Sequence, residues 1–156
     1  MRPLPSKTAY YVLEGSNSFA TAYFFNYLMF LLRDAHGFSN LNNLAVGALH
    51  GLVYVWGSWF GGRYGQRHGY FHSLRIGFGG MAVSLALGLL VPALWGQLVA
   101  LGFWTISICF TWPMLEALVS ENEAPERLPH RVGVCNVVWA GMAAVGFSCG
   151  GWLFER

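Results

Sequence analysis

The sequence predicts an all-α integral membrane protein with five transmembrane helices, and three observations indicate this class. The 156-residue chain is 55% hydrophobic and 10% charged, whereas a typical soluble domain carries about 25% charged residues. The charges leave four long uncharged runs, each close to or above the roughly 20 apolar residues that cross a bilayer core as a helix. The runs lack the alternation of strands, and helices satisfy every backbone group in lipid.

The uncharged runs set the order of the predicted elements. The longest run, residues 76–115, is too long for one helix. Pro92 and Gly96 lie near its middle and predict two helices joined by a turn. Pro113 predicts a further kink in the second of them. The predicted spans, which we expect to form a single bundle over residues 1–156, are 10–33, 43–62, 72–92, 95–119 and 133–154.

The distribution of basic residues predicts the orientation of these spans. Cytoplasmic connections of membrane proteins are enriched in Lys and Arg. Seven of the nine basic residues precede the first span or flank the second and fourth connections: Arg2, Lys7, Arg63, Arg67, Arg75, Arg127 and Arg131. We therefore expect a cytoplasmic N-terminus, and a multi-pass protein of the bacterial inner (plasma) membrane.

The second connection holds an unusual stretch, GGRYGQRHGYF at residues 61–71, with four glycines, two arginines and one histidine. Gly57 and Gly61 have the GxxxG spacing that lets helices approach closely. Gly61, Gly62 and Gly65 are expected to permit a sharp turn in the chain.

This stretch resembles the signature of the major facilitator superfamily, roughly G-x-x-x-D-R-x-G-R-R, which lies in the cytoplasmic loop between helices two and three. Arg63, Gly65 and Arg67 match the signature in register, whereas Gly62 replaces its Asp. Ser58 and Gln66 are further departures. The resemblance implies that Gly62, Arg63, Gly65 and Arg67 form a cytoplasmic gating loop, without the carboxylate that helps to lock this loop in the family.

A second resemblance lies in the fifth span. Gly146, Gly150 and Gly151 are similar to the small-residue positions of a G-P-x-x-G-G motif associated with antiporters of the same superfamily, with Phe147 in place of Pro. The resemblance covers the whole chain but only five of the usual twelve helices. It implies the N-terminal portion of a secondary transporter that moves a small solute by alternating access. Its partners would be the lipid bilayer and a missing C-terminal half or a second chain, and we expect this portion alone to be inactive.

Polar residues within the first two spans are candidates for the path of a substrate or proton, because ionisable groups in lipid are costly. Glu14 and Asn17 share one helix face, although Glu14 is also near enough to the span's start to lie among headgroups. Asn26 is deeper and is expected to bond between helices. His50 either couples to protons or packs through a hydrogen bond.

The fourth and fifth spans supply the remaining candidates. Trp112 and Glu116 flank Pro113, and Glu116 either lines the path, pairs with Arg63 or Arg67, or faces water at the helix end. Asn136 and Trp139 lie three residues apart on one face, which suits the wall of a solute cavity. Trp139 alternatively belongs to the aromatic belt at the membrane interface.

Several other function classes lack their sequence signals. No phosphate-binding loop, zinc motif or nucleophile elbow is present, so we expect no enzyme activity, cofactor or metal, and the charge gives no indication of nucleic-acid binding. The three cysteines are interpreted as packing residues.

The alternative to a transporter is a small multi-span protein that acts by helix–helix interaction with a partner. An uncovered ladder of Gly80, Ser84 and Gly88 would form its contact surface. A lipid-modifying enzyme or a channel would need carboxylate clusters or a polar stripe that the spans do not offer.

Overall fold

The computed structural model is all-helical, as the sequence predicted. It describes residues 7–154, and the surroundings of the side chains for residues 7–149. Within the described residues no strand is present. The helices are α1 (Lys7–His36), α2 (Asn40–His68), α3 (Tyr70–Leu90), α4 (Leu94–Ile108), α5 (Trp112–Ser120) and α6 (Leu128–Phe154).

Four helical segments are long and apolar enough to cross a membrane: residues 40–68, 70–90, 94–120 and 128–149. The third of these comprises α4 and α5, which together make one span with an interruption. With 30 residues, α1 is long enough to cross, but its polar residues lower its apolar content. It is therefore not among the four segments.

The turn between α3 and α4 is held by hydrogen bonds of a side chain and by the close approach of a glycine to the end of α3. Gln97 donates through Nε2 to the carbonyl oxygens of Gly88 at 2.8 Å and Val91 at 3.2 Å. The Gln97 side chain thus caps the end of α3. Pro92 lies in the turn itself. A Cβ at Gly96 would overlap the carbonyl oxygen of Val91, so this position requires glycine.

The span formed by α4 and α5 is interrupted at Cys109–Thr111. The backbone there makes i to i−3 bonds, from the Phe110 N–H to the Ser107 carbonyl (3.0 Å) and from the Thr111 N–H to the Ile108 carbonyl (3.1 Å), which is the tighter 3₁₀ pattern. Pro113 is the second residue of α5, a position where its missing N–H costs little.

The chain divides into two compact units. The central unit is residues 27–114 and contains the end of α1, α2, α3, α4 and the start of α5. Its core is α4, which packs on both α2 and α3 and buries Ala100, Trp104 and Ile108.

The terminal unit consists of residues 1–26 and 115–156, of which the described part holds most of α1, the rest of α5 and α6. Its core includes Leu115, Leu118 and Val119 of α5, all at most 3% exposed. Gly15 of α1 faces α6, where an added Cβ would lie 3.1 Å from Cγ of Met142.

Candidate functional site

A row of polar side chains on α1 is buried inside the terminal unit. Glu14, Asn17, Ser18 and Thr21 are 2%, 1%, 1% and 7% exposed. Their spacing of three and four residues places all of them on one face of the helix. The hydroxyl of Ser18 donates to Oε1 of Glu14 at 2.9 Å. The polar face of α1 is thus turned toward the other helices of its unit.

The chemistry of this row is that of a polar binding strip. A carboxyl group can hold a proton or a cation, and the amide and hydroxyl groups can donate and accept hydrogen bonds. The Thr21 hydroxyl has no hydrogen-bond partner among the residues that the structure describes, although most buried polar atoms have one. It can therefore accept or donate a bond to a molecule that enters.

A groove of about 130 Å³ lies on α5 and α6 of the same unit. Glu116 and Ser120 line it from α5 and Asn136 from α6, with Val119, Val132 and Cys135 as the apolar part of its wall. Cys135 is 5% exposed, and about one turn further along α6 an added Cβ at Gly15 of α1 would lie 3.3 Å from Cγ1 of Val138. The groove and the polar row of α1 are therefore neighbours in the terminal unit.

The remaining candidates of the terminal unit have separate surroundings. Asn26 donates through Nδ2 to the Ala22 carbonyl one turn back at 2.7 Å, so the predicted bond between helices is replaced by one within α1. Trp139 is 47% exposed and does not line the groove that contains Asn136. Among the described residues, no ion pair includes Glu116.

His50 and Trp112 belong to the central unit. Nδ1 of His50 lies 2.7 Å from the Thr105 hydroxyl, and that hydroxyl donates to the Leu101 carbonyl at 2.7 Å. The His50 ring and the Thr105 hydroxyl share this hydrogen bond, and the tautomer of the ring decides which of them donates. The Trp112 ring meets the Tyr54 ring edge-on, with centroids 5.7 Å apart. The hydrogen bond of His50 links α2 to α4.

The predicted turn at Gly61, Gly62 and Gly65 was wrong. α2 continues through this stretch to His68, and the chain reverses at Gly69, whose φ is +96°. Gly61 and Gly65 instead serve packing, since a Cβ would overlap the Cys109 carbonyl oxygen at Gly61 and Sδ of Met114 at Gly65.

The other residues of the motif face outward. A Cβ at Gly62 would meet no atom within 4 Å. Arg63 and Arg67 are exposed on the last two turns of α2. The buried glycines bring α2 against the interrupted span, and the arginines extend from the exposed side of the same turns.

The glycine motif of the last helix has a packing role at its first position. A Cβ on Gly146 would lie 2.9 Å from the Phe19 carbonyl oxygen and 3.2 Å from Cβ of Ala22, so α6 packs closely against the backbone of α1. Gly150 and Gly151 lie in α6, but beyond the residues whose surroundings the structure describes.

The ladder proposed as an uncovered partner surface is covered. Ser84 is fully buried and donates to the Ala100 carbonyl of α4. A Cβ at Gly80 would collide with the Ser107 hydroxyl, and one at Gly88 would touch Oε1 of Gln97 at 3.6 Å. The expectation that Gly80, Ser84 and Gly88 offer a free face was therefore wrong, because α4 of the same chain occupies it.

The sequence analysis missed some residues that have clear structural roles. Ser18 and Thr21 continue the face of Glu14, and the spacing of four and seven residues from Glu14 was a usable signal. The ion-pair cluster of Lys7, Glu123 and Arg131 joins the start of α1 to the start of α6. No local sequence pattern predicts a pairing between residues so far apart in the chain. Within the described residues no group of three His, Cys, Asp or Glu side chains is arranged to hold a metal ion.

Comparison with known proteins identifies one family. The family model of the Major Facilitator Superfamily matches residues 14–156, which include the polar row of α1, the glycine- and arginine-bearing end of α2 and all of α6. No curated protein and no solved structure shows significant similarity to the chain.

Proposed function

We propose, from the premise that this chain belongs to the major facilitator superfamily of membrane transporters, that it is the N-terminal portion of a secondary transporter that moves a small solute by alternating access. The chain is an integral multi-pass membrane protein with helices in contact with the bilayer. The solute, the coupling and the bacterial inner membrane as its location belong to the proposal.

The observation that carries the proposal is the buried polar row of Glu14, Asn17, Ser18 and Thr21. Polar and ionisable groups within a membrane protein are costly and mark paths for substrates and ions. We assign Glu14 and Asn17 to the wall of the solute or proton path. The adjacent groove with its polar side chains, Glu116 and Asn136, extends this wall.

Other candidates have secondary roles in this proposal. Asn26 and Trp139 belong to the margins of the path, and His50 and Trp112 support α2 against the interrupted span. Gly146 permits the close approach of α6 to α1.

We assign the gating role to the last turns of α2, at its cytoplasmic end, where the residues of the predicted loop are helical. Gly65 holds α2 against Met114, while Gly62 leaves space beside the exposed Arg63 and Arg67. The N-terminus is placed on the same, cytoplasmic side because most basic residues lie in these connections.

Alternating access needs a second wall opposite the first, because the solute site of such transporters lies between two related halves. We propose that further helices, from a C-terminal half or a second chain, supply this wall. The five spans on their own would then bind at most part of the solute and would not transport it.

The decisive experiment is genetic and uses the protein in its own cells. The gene is inactivated, and accumulation of a panel of small solutes is measured before and after restoring it. We expect uptake or export of one solute class to change, to recover with the wild-type gene, and not to recover with Glu14→Gln. The matched control is Glu126→Gln, which removes an exposed carboxylate outside the site. No change in any solute, or equal recovery with both variants, would contradict the proposal.

A second test asks whether the groove contains water. Asn136 lines the groove, whereas the neighbouring Val137 lies outside it and is 73% exposed. In a background without native cysteines, Asn136→Cys should react with a membrane-impermeant maleimide and Val137→Cys should not, because a thiolate does not form in lipid. Absence of labelling at Asn136→Cys would show that the groove is not an aqueous pathway.

A further inference from the structure

The central unit carries an excess of positive charge at one end. The sequence has no Asp or Glu between residues 35 and 115, so residues 27–114 hold four arginines and one aspartate. That aspartate, Asp34, accepts a 2.8 Å hydrogen bond from Nε of Arg33. Arg63, Arg67 and Arg75 appear in none of the ion pairs formed by the described residues. Their charges are therefore available to an anion from outside the chain.

Local geometry gathers these charges at one corner, where α2 ends and α3 begins. Gly69 reverses the chain there with a φ of +96°. The Tyr64 ring stacks on His68 with centroids 4.2 Å apart and on His72 at 6.1 Å, which sets the last turns of α2 beside the first turn of α3. We call this surface the basic corner, and its exposed members are Arg63, Arg67, His68, His72 and Arg75.

The surroundings of the basic corner are those of a membrane interface. The guanidinium of Arg63 lies 4.7 Å from the centre of the Trp59 ring, and Trp is characteristic of headgroup depth. Trp56, Trp59 and Phe60 are each more than half exposed, so an apolar surface for acyl chains continues directly from the arginines.

We infer that the basic corner binds the phosphate group of an anionic phospholipid. Guanidinium groups match phosphate oxygens in charge and geometry and bind them with paired hydrogen bonds. Basic clusters beside a transmembrane helix are attracted to anionic lipid, and each arginine strengthens binding about fivefold. The start of α3 adds to this field, since it has no acidic residue in its first turn and no side-chain cap.

A lipid fits the corner better than a soluble anion because charge and apolar surface are continuous there. A free phosphate would use the arginines but leave the Trp59 and Phe60 surface without a role. The inference depends on membrane insertion and not on transport, so its failure and that of the proposed function are distinguishable.

The experiment measures lipid binding to the purified chain in detergent by native mass spectrometry, with titration of phosphatidylglycerol or phosphatidylcholine. We expect tighter binding of phosphatidylglycerol, and a loss of about thirtyfold in the double variant Arg63→Gln/Arg67→Gln. The matched control, Arg33→Gln/Arg127→Gln, removes the same charge from exposed positions elsewhere and should retain binding.

Three outcomes would overturn the inference. The first is that the control loses as much binding as the double variant, and the second is that phosphatidylcholine binds as tightly as phosphatidylglycerol. The third is complete displacement of the lipid by inorganic phosphate, which would indicate a site for a free anion. Arg63→Lys/Arg67→Lys keeps the charge and protects the test against misfolding. It should bind phosphatidylglycerol more tightly than the glutamine pair, and equal weakness of both pairs would also contradict the inference.

Discussion

Replacing Lys7 with methionine should destabilise the terminal unit, because this side chain caps α5. Nζ of Lys7 donates to the carbonyl oxygens of Leu118 (3.2 Å), Val119 (2.7 Å) and Glu121 (2.7 Å). These are among the last carbonyls of α5 or directly follow it, and such groups have no partner within a helix. The positive charge also lies at the negative end of the helix dipole.

An ion-pair cluster surrounds the same amine. Oε1 of Glu123 lies 3.5 Å from Nζ of Lys7 and 3.1 Å from Nε of Arg131. The Lys7 and Glu123 side chains are 26% and 9% exposed, so solvent screens them only partly. Methionine keeps the length and apolar stem of lysine and removes only the charge and the donors.

The magnitude follows from the bonds that are lost. A hydrogen bond to a charged group contributes about 1.5–3 kcal/mol, but water can replace the donor at the less buried carbonyls. We therefore assign the whole cap about 2–3 kcal/mol, or one full contribution. For a chain of this length, each kcal/mol shifts the melting temperature by about 2–4 °C, so Lys7→Met should melt about 4–12 °C lower.

The assay uses the protein's own thiols. Cys109 and Cys135 are buried, so a thiol-reactive fluorophore reports unfolding in detergent as the temperature rises. Arg127→Gln is the control, because Arg127 is exposed and belongs to no ion pair of the described residues. A melting temperature for Lys7→Met equal to that of the control would refute the reasoning. In a double-mutant cycle, Lys7→Met and Glu123→Gln should be less than additive.

Two further predictions use the same melting assay. Gly61→Ala should lower stability by several kcal/mol because its Cβ would overlap the Cys109 carbonyl. Gly62→Ala, where a Cβ meets open space, should be neutral or stabilise by up to about 1 kcal/mol through helix propensity; similar melting of the two variants would contradict this packing. Ser84→Ala removes the donor to the Ala100 carbonyl and should cost about 0.5–1.5 kcal/mol, whereas an unchanged melting temperature would show that this bond contributes nothing.

The helices could be predicted from the sequence because charge-free length is a strong signal that needs no tertiary information. The sequence did not predict which side of each helix faces the core. In spans that are apolar on every side, no amphipathic pattern tells which side turns inward. The cover that α4 gives to Ser84 thus became visible only in the fold.

The misread glycines show a second limit. Glycine permits both a turn and the close approach of two helices, and sequence alone does not separate these uses. The turn was predicted at Gly61, Gly62 and Gly65, where α2 continues, although Gly69 is the residue with positive φ. The contact of Gly61 with Cys109 shows that this glycine serves packing, and Cys109 lies almost fifty residues further along the chain.

The interruption at residues 109–111 explains why the glycines are needed. In a continuous helix the Cys109 carbonyl would accept from residue 113, but Pro113 has no N–H. An unsatisfied carbonyl costs several kcal/mol in lipid, so such a break is tolerated only where protein covers it. Gly61 brings α2 directly onto the Cys109 carbonyl, and the Ser73 hydroxyl of α3 donates to the next carbonyl, that of Phe110, at 3.1 Å. The glycines of α2 and Pro113 of the fourth span therefore serve the same interruption. A substitution at either position should change the effect on stability of a substitution at the other.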